Sequence, residues 1–151
     1  MQIVPLSEDR FAHFVRLICE LAEYEHLPPP TAEAQQRLYN DAFLSTPRYE
    51  AFLAIDGNSE AVGYAIVFET YSSFLAKPTL YLEDIFVRAS CRTMGAGGML
   101  FEHITQLAQQ RGCGRVDWQV LDWNTLAREF YARRGATHEK EWLLYRITLP
   151  E

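Results

Sequence analysis

The chain has 151 residues, enough for one domain with a core of its own. Hydrophobic residues make up 48% and charged residues 23%, which excludes a disordered polypeptide, and no apolar run approaches the ~20 residues of a membrane span. Twenty Asp+Glu against 14 Lys+Arg give a net charge of -6, and that balance argues against nucleic acid as a main ligand, since phosphate backbones need a basic footprint.

In chain order, Ile3 to Leu6 reads as a short strand with Ser7 as N-cap of the helix that follows. Phe11, Phe14, Val15, Ile18, Leu21 and Ala22 recur at helical spacing to about Tyr24. Pro28-Pro29-Pro30 breaks that helix, and Thr31 caps a second one to about Phe43. Tyr49 to Ile55 and Ala61 to Tyr71 read as strands joined by the turn Asp56-Gly57-Asn58-Ser59, and Thr79 to Arg88 as the next strand. A helix from Met99 to Arg111 ends at Gly112, and Val116, Trp118 and Val120 alternate along a strand to Leu121. A short helix from Asn124 to Arg134 and a last strand, Glu141 to Leu149, complete the order βααβββαβαβ. This order describes one domain over 1–151, a mixed sheet with helices on both faces.

The three cysteines, Cys19, Cys91 and Cys113, lie far apart with no C-x-x-C pair, the usage of reduced thiols in a cytoplasmic protein. No signal peptide is read at Met1 to Pro5. The histidines (His13, His26, His103, His138) show no metal-ligand spacing, so no metal is expected.

The most informative stretch is Arg92-Thr93-Met94-Gly95-Ala96-Gly97-Gly98, between a strand and a helix. A glycine-bearing turn at a helix N-terminus offers outward N–H groups and the positive end of the helix dipole to an anion, and it lets a phosphate approach the backbone. No Gly-Lys-Ser/Thr follows, which argues against a nucleotide P-loop. The turn comes after four strands rather than one, which argues against a dinucleotide fold. Upstream, Glu83 and Asp84 interrupt an apolar, aromatic strand, where unpartnered carboxylates are costly; strict alternation sends one to each face of the sheet.

Arg-x-x-Gly-x-Gly in this position resembles the acyl-CoA pyrophosphate loop of the GNAT (Gcn5-related) N-acetyltransferases. Tyr81 to Val87 before it, Trp123-Asn124 with Phe130-Tyr131-x-Arg133-Arg134-Gly135-Ala136 after it, and Leu17 to Glu25 in the first helix resemble the diamine (spermidine/spermine-like) acetyltransferase branch. The resemblance implies a mixed, mostly antiparallel sheet of six to seven strands with helices on both faces and a V-shaped splay between its two central strands. It implies acetyl-CoA as cofactor, with main-chain groups of Ile85, Phe86 and Val87 along the pantetheine arm and amides of Arg92, Thr93, Met94, Gly95, Ala96, Gly97 and Gly98 on the pyrophosphate. Asn124 would contact the cofactor as well.

The resemblance further implies Tyr131 as the group that protonates the departing thiolate, and a backbone N–H near Phe86 on the thioester carbonyl. Glu83 would bind the amine and take its proton, with Asp84 and Glu25 lining the substrate site. The branch's other acids are missing: Leu27-Pro28-Pro29-Pro30 and Tyr71-Ser72-Ser73-Phe74 stand at positions where acids are expected. A shorter amine or an amino-acid side chain is then as plausible an acceptor as a polyamine. Homodimerisation is implied too. The alternatives are a transferase acting on a protein or peptide amine and a non-catalytic acyl-CoA sensor; intact Glu83 and Tyr131 argue against the sensor.

Overall fold

A computed structural model describes residues 1–151, which divide into two units, 1–119 and 120–151. The first unit holds five strands, β1 (Gln2–Pro5), β2 (Glu50–Ile55), β3 (Ala61–Ser72), β4 (Lys77–Val87) and β5 (Arg115–Trp118), in that spatial order. Strands β1 to β4 are antiparallel to their neighbours, and β5 runs parallel to β4. Three helices accompany them: α1 (Phe11–Tyr24), α2 (Ala32–Ala42) and α3 (Ala96–Gln110).

The local signals act largely as the sequence suggests. Thr31 Oγ1 accepts the N–H of Ala34 at 3.1 Å, which starts α2. Ser7 differs. Its hydroxyl donates to Asp9 rather than capping a backbone N–H, and a 3-10 turn at Glu8–Arg10 leads into α1. The third long helix begins at Ala96, three residues earlier than the pattern suggests, because Gly95 takes the left-handed conformation (φ 80°) and turns the chain into it. Gly97 and Gly98 therefore lie in the first helical turn, where a missing Cβ costs little and leaves the backbone bare.

Two cores form, one on each face of the sheet. Leu80, Leu82, Val67 and Ala65 face Leu100 and Ile104 of α3. Leu53, Tyr64, Ile66 and Phe86 face Phe14 and Leu17 of α1. Each fully buried Leu or Phe contributes roughly 1.5–3 kcal/mol, so these two layers hold the unit together.

Strand β4 does not alternate throughout. Val67 pairs with Leu82 and Ile66 with Asp84, so Glu83 is the extra residue of a β-bulge. Before it, even-numbered Leu80 and Leu82 face α3. After it, odd-numbered Ile85 and Val87 pack there, and even-numbered Phe86 turns to α1. The ladder between β4 and β5 ends at Leu82 and Trp118, while β4 continues to Val87. The sheet thus opens at the bulge.

In the second unit, α4 (Thr125–Arg133) starts at Asn124, whose Oδ1 accepts the N–H of Ala127 at 3.2 Å. Gly135, at φ 79°, follows it. The strand expected from Glu141 to Leu149 is not formed, which reduces the sheet from the expected six to seven strands to five. Residues 142–149 enter no ladder and leave Trp142, Tyr145 and Ile147 almost fully exposed. A strand needs a partner edge, and an alternating pattern alone does not supply one.

Candidate active site

The carboxylates come together through the bulge. Glu25, at the C-terminal end of α1, and Glu83 and Asp84 of β4 all line one cavity of about 630 Å³ on the α1 face of the sheet. Regular alternation would have put Glu83 and Asp84 on opposite faces. The extra residue at Glu83 removes that alternation, so the expectation of one acid on each side is corrected here. Leu21, Ile66 and Phe68 supply an apolar wall, and Arg48 is the one basic residue lining the cavity.

Asp84 is the most perturbed acid of the site. Its carboxyl is raised to about 6, chiefly because it is buried, with the charges of Glu83 and Glu25 adding and a hydrogen bond from Tyr64 opposing. That bond is donated by the Tyr64 hydroxyl to Asp84 Oδ2 at 3.0 Å. Tyr64 is fully buried beneath the site, and its own hydroxyl is pushed well up by burial first and the Asp84 charge second. Burial also raises the Glu25 carboxyl. A carboxyl titrating near 6 is mostly ionised at neutral pH yet more basic than an ordinary carboxylate, which suits it to take a proton from an amine.

Beyond the bulge, the exposed side of β4 offers main-chain groups. The Arg88 N–H donates to Val62 O at 2.8 Å, so by alternation Phe86 also presents its backbone to β3. The N–H and C=O of Ile85 and Val87 then face the open edge, the geometry that accepts an added extended chain. One of these carbonyls is engaged: Arg92 Nε donates to Val87 O at 3.2 Å. The Arg92 guanidinium lies 4.9 Å from the centre of the Tyr24 ring, turned back toward α1. Arg88 binds Glu20 through two nitrogens, at 3.1 and 2.9 Å, and ties the end of β4 to the same helix.

The glycine turn follows at once. Ala89–Met94 form a 3-10 helix that carries Arg92, Thr93 and Met94, and Gly95 ends it. Met99 N–H is the helical donor that bonds back to Gly95 O, at 3.1 Å, and no side chain caps the start of α3. The N–H groups of Ala96, Gly97 and Gly98 thus form the helix mouth, with neither a competing carboxylate nor a Cβ on the two glycines. These donors fit a diphosphate.

Asn124 and Tyr131 belong to the second unit, seven residues apart and on one face of α4. Asn124 serves as the helix cap already described. Tyr131 is half-buried, with its ring edge-on to Phe130 at 5.5 Å. Sequence reasoning missed Tyr64, Arg48 and the close approach at Gly63, where a Cβ would stand 2.7 Å from Phe86 O. Of these, Gly63 alone left a trace: a glycine inside an otherwise β-branched and aromatic strand.

The solved structure of a probable acetyltransferase superposes on the chain with a TM-score of 0.85 at 19% identity, covering 100% of this chain and 99% of that one. This likeness gives the fold class alone, a mixed α/β sheet with helices on both faces. A model of the acetyltransferase (GNAT) family matches residues 15–136. The chain belongs to this family and is an acetyl-transferring enzyme. A thialysine N-epsilon-acetyltransferase of Bos taurus is 33% identical over 93% of this chain and 88% of its own. An L-ornithine N5-acetyltransferase of Arabidopsis thaliana is 42% identical over 72% of this chain, and the match spans 48% of that relative's length. No helix is long and apolar enough to cross a membrane.

Proposed function

We propose that the chain transfers acetyl from acetyl-CoA directly to the side-chain amine of a small molecule, an amino acid of the ornithine or lysine type. The observation that carries this reading is the cavity in which Glu25, Glu83 and Asp84 converge. A cluster of acids gathers an ammonium, and an ammonium must lose a proton before its nitrogen can attack. The activities for which the two relatives are named, on ornithine and thialysine, support the same acceptor class.

Acetyl-CoA supplies an acetyl group activated as a thioester. The amides of Arg92 to Gly98, foremost those at the mouth of α3, would hold its diphosphate, and the open edge of β4 at Ile85, Phe86 and Val87 its pantetheine arm. Asn124 would add a contact from α4. Glu83 and Asp84 orient the amine and accept its proton, with Asp84 tuned toward neutrality by burial. Glu25, lining the same cavity, adds its charge to the pair that gathers the side-chain ammonium. Tyr131 donates a proton to the leaving sulfur, which a phenol does readily once the thiolate forms beside it.

The enzyme acts as a single catalytic domain over 1–151 in the cytoplasm. The family match, which runs through both units, and the unpaired cysteines support this. Its acidic charge disfavours nucleic acid as a partner. It works as a homodimer, a reading supported by the exposed apolar run 142–149 and by β5 standing at the edge of its sheet. A thiol-release assay with acetyl-CoA and a panel of amines tests the reaction. Turnover with side-chain amines is expected, with loss of acetyl-CoA binding by calorimetry in Gly97→Glu. Full affinity in that variant, or no thiol released with any amine, would refute the reading.

A further inference from the structure

The cavity is polarised. Its three carboxylates sit around the bulge of β4 and the end of α1, whereas its one cation, Arg48, lies just before β2. Glu50, two residues past Arg48, is level with Val67 and Leu82 across the sheet. Arg48 is therefore two strands away from Asp84 and several residues further along, on the order of 10–15 Å at the backbone. Apolar side chains, among them Leu21, Ile66 and Phe68, line the cavity as well.

The Arg48 side chain is held without being used up. Its Nε pairs with Asp41 Oδ1 at 3.2 Å, and its backbone N–H donates to Asp41 O at 3.1 Å. Next to it, the Tyr49 hydroxyl donates to Leu38 O of α2 at 2.7 Å and anchors the segment. The two Nη nitrogens carry no protein partner and remain well exposed. A planar guanidinium with this pair of donors matches a carboxylate through two parallel hydrogen bonds. A diamine or polyamine has no group for it and would meet an uncompensated positive charge instead.

We propose that Arg48 reads the α-carboxylate of the acceptor, so that the cavity takes an α-amino acid with a side-chain ammonium in preference to the diamine of equal length. The inference rests on the amine-acetylating reading of this site. The ligand lies along the apolar wall, its side-chain nitrogen at Glu83 and Asp84 and its carboxylate on the Nη groups of Arg48. Asp41, already against Arg48, offers the counter-charge for the α-ammonium.

The experiment compares ornithine with putrescine and lysine with cadaverine, pairs that differ by the carboxylate. In the native enzyme kcat/KM should favour the amino acid of each pair. Arg48→Gln should lower that preference by about tenfold or more, through KM rather than kcat, and Arg48→Lys should restore part of it. An exposed ion pair contributes little to folding, so the variants should melt close to the native protein. Calorimetric titration of lysine and cadaverine gives a second readout that does not need turnover. An unchanged preference in Arg48→Gln, or a native enzyme that prefers the diamine, would overturn the inference. Absence of acetylation with lysine still bound through Arg48 would instead overturn the transferase reading alone.

Discussion

At the scale of single residues, Asp84 and Tyr64 show how one buried pair sets both reactivity and stability. Burial lifts the Asp84 carboxyl from its ordinary 3.8 to about 6, so between those values the folded chain holds a proton there that the unfolded chain has released. Stability from this group is greatest below its ordinary value, declines as pH rises through 4 to 6, and is gone above. Asp84→Asn should therefore raise the melting temperature at pH 8 by roughly 2–6 °C, with the gain shrinking toward pH 4. It should also lower kcat at least tenfold at neutral pH. Melting curves at three pH values check the first effect; a gain that is equal throughout would show that Asp84 is not strained by burial.

The two acids were legible in the sequence as an anomaly in an apolar strand, but Tyr64 was not. Its twenty-residue separation from Asp84 carries no local signal, and only the pairing of β3 with β4 brings the hydroxyl to the carboxylate. Arg48 was illegible for a related reason. An arginine in a bend reads as solvated surface until the cavity beside it is known.

At the scale of elements, the helical periods, the cap at Thr31 and the glycine turn could be read directly, because each is encoded within a few neighbouring residues. The bulge could not, since one extra residue leaves no mark on composition or periodicity over so short a strand. Gly63 belongs with it. Any side chain there would press on the Phe86 carbonyl at 2.7 Å and on Val87 Cγ2 at 3.0 Å, behind the stretch whose other side is open. Gly63→Ala should cost about 1–3 kcal/mol by chemical denaturation, as overpacking does, and should weaken acetyl-CoA binding in calorimetry. Native stability in that variant would mean that β4 yields more easily than a strand clamped by Arg88 and Glu20 should.

At the scale of the whole molecule, the missing last strand is the main departure from what the sequence suggests. Leu143, Tyr145, Ile147 and Leu149 alternate as a strand does, yet all are largely exposed. The pattern was legible, but its partner cannot be read from one chain. Sedimentation velocity at micromolar concentrations should find a dimer, and Ile147→Asp should shift it to monomer. A native chain that sediments as a monomer at tens of micromolar would remove the assembly from the proposal.

The irregularity at Glu83 also makes this a point where the chain could shorten by one residue without turning its neighbours over. Losing the Glu83 codon would restore plain alternation, with Leu82, Ile85 and Val87 still on the aliphatic layer under α3 and Asp84 and Phe86 still on the other side. Such a chain would keep the outline of the sheet but lose one of the cavity's three acids, together with the kink beside the point where the ladder to β5 ends.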